Sequence, residues 1–153
     1  MTKTPNIIHD TIKAERLLNA APERVFAAWT DSEARKRWEP TPEGMSMDYD
    51  GHDFQIGGYE KSRMTKDGNV LAEFDTRFID IVENSRVVSS VRVNSGGNAL
   101  SCSQHTIDFR AEGNGTRLIC HEQVAWFHGH DMRAEHEGGW STLLDRLAGE
   151  VEG

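Results

Sequence analysis

The chain is poor in cysteine: Cys102 and Cys120 are the only two among 153 residues. They form no CxxC pair, so there is no zinc or dithiol signature, and each is expected to be reduced and buried within a strand. Long apolar runs are also missing. Nothing approaches the roughly 20 residues that span a bilayer, and the opening MTKTPNIIHD has no signal-peptide core, so the expected location is cytoplasmic. Positive charge is scarce, with 17 Lys and Arg against 25 Asp and Glu and a net charge of −8. That balance argues against nucleic acid, which needs a basic face to displace counterions, and against an anionic membrane surface. There is no nucleophile elbow, no Ser–His–Asp order, no close carboxylate pair and no glycine-rich phosphate loop. Repeats, low-complexity tracts and linkers are absent too. Residues 1–153 are expected to form one domain, large enough to bury about 70% of its unfolded surface.

What is present is a change of periodicity. From Glu135 to Gly153 the apolar residues Trp140, Leu143, Leu144, Leu147 and Val151 follow the spacing of a single helical stripe. Between about Met45 and Trp126 the pattern is instead short alternating strands: Met45–Asp50, Phe54–Thr65, Val70–Val82, Arg86–Val93, Leu100–Ala111 and Thr116–Trp126. Asp50-Gly51, Lys66-Asp67-Gly68-Asn69, Glu83-Asn84-Ser85, Ser95-Gly96-Gly97-Asn98 and Glu112-Gly113-Asn114-Gly115 separate them, and such short links make neighbours antiparallel. Upstream, Ile7–Leu18 reads as a first strand. Pro22 and Glu23 open a helix with Val25, Phe26 and Trp29 on its buried face. Thr30 or Asp31 caps a second, Ser32–Trp38, which Pro40 and Pro42 stop. The order is β-α-α-β-β-β-β-β-β-α. The apolar face of the last helix must lie on the sheet, and a curved sheet closed by one helix leaves room for a cavity.

Several segments have a familiar look. Ala21-Pro-Glu-Arg-Val-Phe-Ala-Ala-Trp-Thr-Asp31 and Ala34-Arg-Lys-Arg-Trp38 resemble the entry helices of the START-like (SRPBCC) superfamily, nearest to its Hsp-90 ATPase activator homologue-like branch. Asp53-Phe-Gln-Ile-Gly-Gly58 resembles that branch's Gly-Gly strand, Gly115-Thr-Arg-Leu118 its late hairpin, and Glu137-Gly-Gly-Trp140 with Leu143–Leu147 its terminal helix. The match runs in order through nearly the whole chain. It implies an α+β helix-grip fold: a seven-stranded curved antiparallel sheet around a long C-terminal helix, with two short helices after the first strand. It fixes no activity, because the superfamily includes carriers, cyclases and oxygenase domains. The co-chaperone role of the eukaryotic namesake finds no docking motif here.

Pairing Ala111 with Thr116 across the last turn sets Phe109 against Leu118, Ile107 against Cys120 and His105 against Glu122, all on the core face. A His–Glu pair beside an apolar cavity can be a satisfied structural pair, can orient a ligand, or can move a proton. One register of the preceding hairpin adds Ser89, Ser101 and Ser103 to this face, a polar wall suited to a ligand bearing oxygen; a bulge would reverse that placement. His128, His130 and His136 are a weak metal pattern. His128 and His130 read as loop residues, whereas His136 lies one turn before Trp140 and should line the cavity mouth. Gly57-Gly58 reads as a bulge within a strand. Trp29, Trp38, Trp126 and Trp140 are core residues, with Trp29 and Trp140 bordering the cavity. The facing of Arg63 and Arg77 stays undecided.

The expected ligand is a small hydrophobic or amphipathic molecule held by His105, Glu122, His136, Trp140, Trp29 and Ser103. No metal or cofactor is implied, and a homodimer through an exposed sheet edge is compatible with the sequence without being required by it. Two other readings keep the fold. One is an enzyme in which His105, supported by Glu122, acts as a general base for cyclisation or dehydration. The other is a co-chaperone-like interaction module with an exposed apolar patch.

Overall fold

The computed structural model describes residues 6–39, 43–129 and 131–152. Its elements are β1 (Ile8–Leu18), α1 (Pro22–Thr30), α2 (Ser32–Trp38), β2 (Met45–His52), β3 (Tyr59–Lys66), β4 (Asn69–Val82), β5 (Arg86–Ser95), β6 (Asn98–Glu112), β7 (Gly115–Trp126), a 3-10 turn over Phe127–Gly129, and α3 (Arg133–Glu152). The strands form one antiparallel sheet in the order β1-β7-β6-β5-β4-β3-β2. Strands β2 to β7 are a meander of short turns; β1 reaches the far edge by pairing with β7.

Local chemistry accounts for the helix ends. Pro22 occupies the start of α1, and Val25, Phe26 and Ala28 are its buried residues. Of the two candidate caps for α2, Asp31 serves: its Oδ1 accepts from the Glu33 amide at 3.2 Å. The Thr30 hydroxyl instead donates back to the Phe26 carbonyl at 3.0 Å, the usual way a helical threonine satisfies itself. The stop assigned to Pro40 and Pro42 lies outside the described residues.

One expected element needs correction. The third strand starts at Tyr59 rather than Phe54. Gly57 has φ +84° and so turns the chain. A side chain on Gly58 would place its Cβ 2.1 Å from the Asp53 carbonyl oxygen. The pair therefore makes a tight turn ahead of the strand rather than a bulge within it. The register breaks that bend the sheet lie elsewhere, at Tyr49/Gly51, Met64/Thr65, Phe78/Asp80 and Val93/Asn94.

The core lies on the face carrying Val87, Ile107, Phe109, Leu118, Cys120, Val124 and Trp126. Helix α3 closes it with Trp140, Leu144, Leu147 and Val151 of the expected stripe and with Ala148, all buried, while Leu143 of that stripe is only partly buried. The helix runs along β1 and also touches α1 and α2. Ion pairs Arg16–Asp145 and Arg133–Asp10 tie it to that strand. At its far end Arg24 donates to the carbonyls of Val151 (2.9 Å) and Glu150 (3.1 Å), a cation where the helix dipole favours one. Further along the same concave face Met47, Met64, Phe74, Val91 and Val93 remain only half-buried.

Candidate functional site

The last hairpin has the register its turn dictates: Ala111 opposite Thr116, Ile107 opposite Cys120, and His105 opposite Glu122. The preceding pairing puts Ser89 against His105, Ser103 against Val91 and Ser101 against Val93. Ser89, Ser101 and Ser103 are all buried on that face. The inner wall is polar there.

Glu122 is the centre of this wall. Its Oε2 accepts from the Ser103 hydroxyl at 2.8 Å and from His105 Nε2 at 3.3 Å. Its Oε1 accepts from His136 Nδ1 at 2.9 Å and from the Trp140 indole N–H at 3.1 Å. Two of the donors come from β6 and two from α3, at the i, i+4 spacing that puts His136 and Trp140 on one helix face. Burial alone would raise the Glu122 carboxyl; the hydrogen bonds from His105 and His136 reverse this and hold it well below the usual carboxylate range. The His105 ring packs edge-on against Trp140, and His136 against Trp126. Their side chains keep 23% and 26% exposure. The Trp126 indole nitrogen is buried with no hydrogen-bond partner among the described residues.

A second buried carboxylate, which sequence reasoning missed, lies on the same face near the β2 edge. Glu60 accepts from Arg35 Nη1 at 2.7 and 2.8 Å and from His52 Nδ1 at 2.7 Å. His52 Nε2 donates to the Thr30 carbonyl at 2.8 Å. A carboxylate and a carbonyl both only accept, so both ring nitrogens must carry protons and His52 is an imidazolium. Consistent with this, the hydrogen bond to Glu60 raises the His52 pKa. Burial opposes ionisation of Glu60, but His52 and Arg35 together keep its pKa lowered. Arg35 also donates to Glu39 Oε1 at 3.1 Å and stacks over the Tyr49 ring. Glu39 Oε2 and the Tyr49 hydroxyl oxygen are buried with no partner among the described residues, and burial raises the Glu39 pKa.

Five of the six candidate ligand residues, His105, Glu122, His136, Trp140 and Ser103, thus form one network. Trp29 stands apart, packed between Trp38 and Phe109. His128 is exposed with φ +64°, and His130 lies outside the described residues. Arg63 pairs with Asp50, and Arg77 is exposed over the Tyr59 ring. Cys120 is buried and burial pushes its thiol up; Cys102 is exposed, contrary to the buried role expected for it.

Two depressions bear on binding. A groove of about 260 Å³ lies between β1 and α3, bordered by Ile12, Ala14, Trp140, Ser141 and Leu144. A shallower one of about 640 Å³ lies on the opposite face of the sheet, where Thr11, Ser90, Cys102, Gln104 and Gln123 meet. Neither is lined by His105 or His136.

The family described as Activator of Hsp90 ATPase homolog 1-like protein matches residues 19–152. The chain belongs to this family. Three solved structures share the fold. The Mll3558 protein of Rhizobium loti is 36% identical, with 95% of this chain and 99% of that one covered and a TM-score of 0.85. An uncharacterised protein of Rhizobium leguminosarum is 31% identical over 98% and 99%, also at 0.85. Protein CV1439 of Chromobacterium violaceum is 28% identical, covering 94% and 97%, at 0.80. No curated protein matches significantly. This member of the Activator of Hsp90 ATPase homolog 1-like family therefore has the helix-grip architecture of the solved structures it resembles, and their names assign no ligand.

Proposed function

We infer that this protein binds a small, partly apolar molecule on its concave face, beside α3 and within reach of the Glu122 network. The observation that carries this reading is the uneven cover of that face. Helix α3 covers the β1 end, while Met47, Met64, Phe74, Val91 and Val93 stay half-exposed on a continuous wall that runs up to Ser103 and His105. Half-covered apolar side chains leading to a few convergent polar groups are the usual make-up of a small-molecule site. The groove beside Trp140 offers a second approach to the same network.

Native mass spectrometry of protein purified from its own cells tests this directly. A retained molecule appears as added mass that Val91→Trp, which fills the wall, removes. A bare mass, together with failure of apolar probes to shift amides of the wall residues, would rule the reading out.

A second reading keeps the site and adds proton transfer. His105 lies 3.3 Å from Glu122 and is partly exposed, the arrangement of a base held by a carboxylate. Conversion of the retained molecule by wild type and not by His105→Gln would establish it.

A further inference from the structure

The ionised Glu122 decides which proton each neighbouring imidazole carries, and so what those rings offer on their other side. A carboxylate is acceptor-only. Its contact with His105 is through Nε2 and its contact with His136 through Nδ1. Neutral His105 must therefore be the Nε2–H tautomer, which leaves Nδ1 a bare lone pair. Neutral His136 must be the Nδ1–H tautomer, which leaves Nε2 bare. Neither of these outer nitrogens has a hydrogen-bond partner among the described residues, and both rings are partly exposed. Ser103 and Trp140 use their own donors on Glu122, so they offer an arriving molecule no N–H or O–H. At these two ring nitrogens the polar end of the wall thus presents acceptors, while the unpaired Trp126 N–H is sealed from solvent and the Ser89 and Ser101 hydroxyls are buried.

We propose that the ligand is a hydroxyl donor, a phenol or an alcohol, whose O–H groups are accepted by His105 Nδ1 and His136 Nε2 while its apolar body lies along the half-exposed wall. This deepens the reading of a small-molecule site and rests on it. A bare hydrocarbon would leave both lone pairs desolvated, and an ether or ester of the same shape would bring an acceptor against an acceptor.

The side chains allow a test that spares the fold. Gln at position 105 keeps an N–H where Nε2 stood, and Asn at 136 keeps one where Nδ1 stood; each removes only the outward acceptor. The probes are 2-naphthol, 2-methoxynaphthalene and naphthalene, titrated by amide chemical shift and by quenching of tryptophan emission, with urea unfolding to confirm that the His105→Gln/His136→Asn double variant is folded. The expected result is that 2-naphthol binds at least tenfold tighter than 2-methoxynaphthalene, and that this ratio falls to near one in the double variant while naphthalene affinity does not fall. Equal binding of naphthol and its methyl ether by wild type, or a ratio that survives the double substitution, overturns the hydroxyl-donor assignment and leaves the apolar site standing. No binding by any of the three probes overturns the small-molecule site itself. Long-range proton–nitrogen spectra of the two rings give an independent check: a proton on His105 Nδ1 or on His136 Nε2, whether or not the inner nitrogen also carries one, would sink the assignment.

Discussion

Glu122 and Glu60 are both carboxylates on inward strand positions, both nearly inaccessible, and both held by histidine, yet they are neutralised differently. Around Glu122 every donor belongs to a side chain that can be neutral: a serine, an indole and two imidazoles. Around Glu60 the donors are cations, Arg35 and the doubly protonated His52, with Glu39 as a second acid. The first arrangement leaves a buried negative charge spread over hydrogen bonds, and ring nitrogens free to meet something else. The second uses both nitrogens of its histidine internally and ties α2 and the α1–α2 corner to the β2–β3 hairpin. Histidine number does not separate a site from a brace; what the outer nitrogen faces does.

Removing each carboxylate should expose this contrast most sharply. Glu60→Ala takes the shared anion away from Arg35 and the His52 imidazolium, leaving Arg35 only Glu39, and is expected to cost about 3–5 kcal/mol in urea unfolding. Glu122→Ala leaves neutral donors unmatched and should cost less, about 1–3 kcal/mol. Equal costs would erase the distinction between brace and site.

Alkaline pH should separate them next, by a fraction of the Glu60 effect. The His52 pKa is raised in the folded state, so its contribution is complete below the unfolded value of about 6.5 and is lost as pH rises through the folded value. Stability should decline over that interval in wild type and in His105→Gln, and the decline should vanish in His52→Gln. The depressed Glu122 pKa acts on the other side: its contribution is present above about 4.3 and is lost only as pH falls through the folded value. Chemical denaturation across pH 6–9 that finds no difference between wild type and His52→Gln would refute the imidazolium assignment.

The smallest effect concerns the helices that carry the donors. Helix α3 brings His136 to Glu122 from beside Gly138 and Gly139, where an added Cβ meets nothing within 4 Å. Helix α2, which brings Arg35 to Glu60, contains no glycine. Gly139→Ala should therefore stabilise the protein by about 0.5–1 kcal/mol through helix propensity. A loss of stability would mean that the helix needs that softness for its docking.

The two regions also differ in how far the amino-acid order reveals them. His105 and Glu122 flank a four-residue turn, so counting outward by two places them opposite each other, and helical spacing then adds His136 and Trp140. What counting could not supply is that the docking of α3 brings all four donors to the same two oxygens. The Glu60 brace joins α2, β2 and β3, and Arg35 is 25 residues from Glu60. Reading Phe54–Thr65 as one strand and ending the previous strand at Asp50 put His52 in a turn, out of register with its partner. The available signal was alternation in β3: Glu60 and Ser62 share a phase opposite to Tyr59, Lys61 and Arg63, which marks a charged residue facing inward.

The strand order has a consequence for how the chain is made. Of the seven strands β1 leaves the ribosome first, but among the described residues its only neighbour in the sheet is β7, the last of them to emerge. At translation rates of roughly 5–20 residues per second, the wait is on the order of ten seconds. Throughout that time its backbone amides and carbonyls are an open template for other chains, an exposure that ends when β7 pairs with it and α3 packs along it.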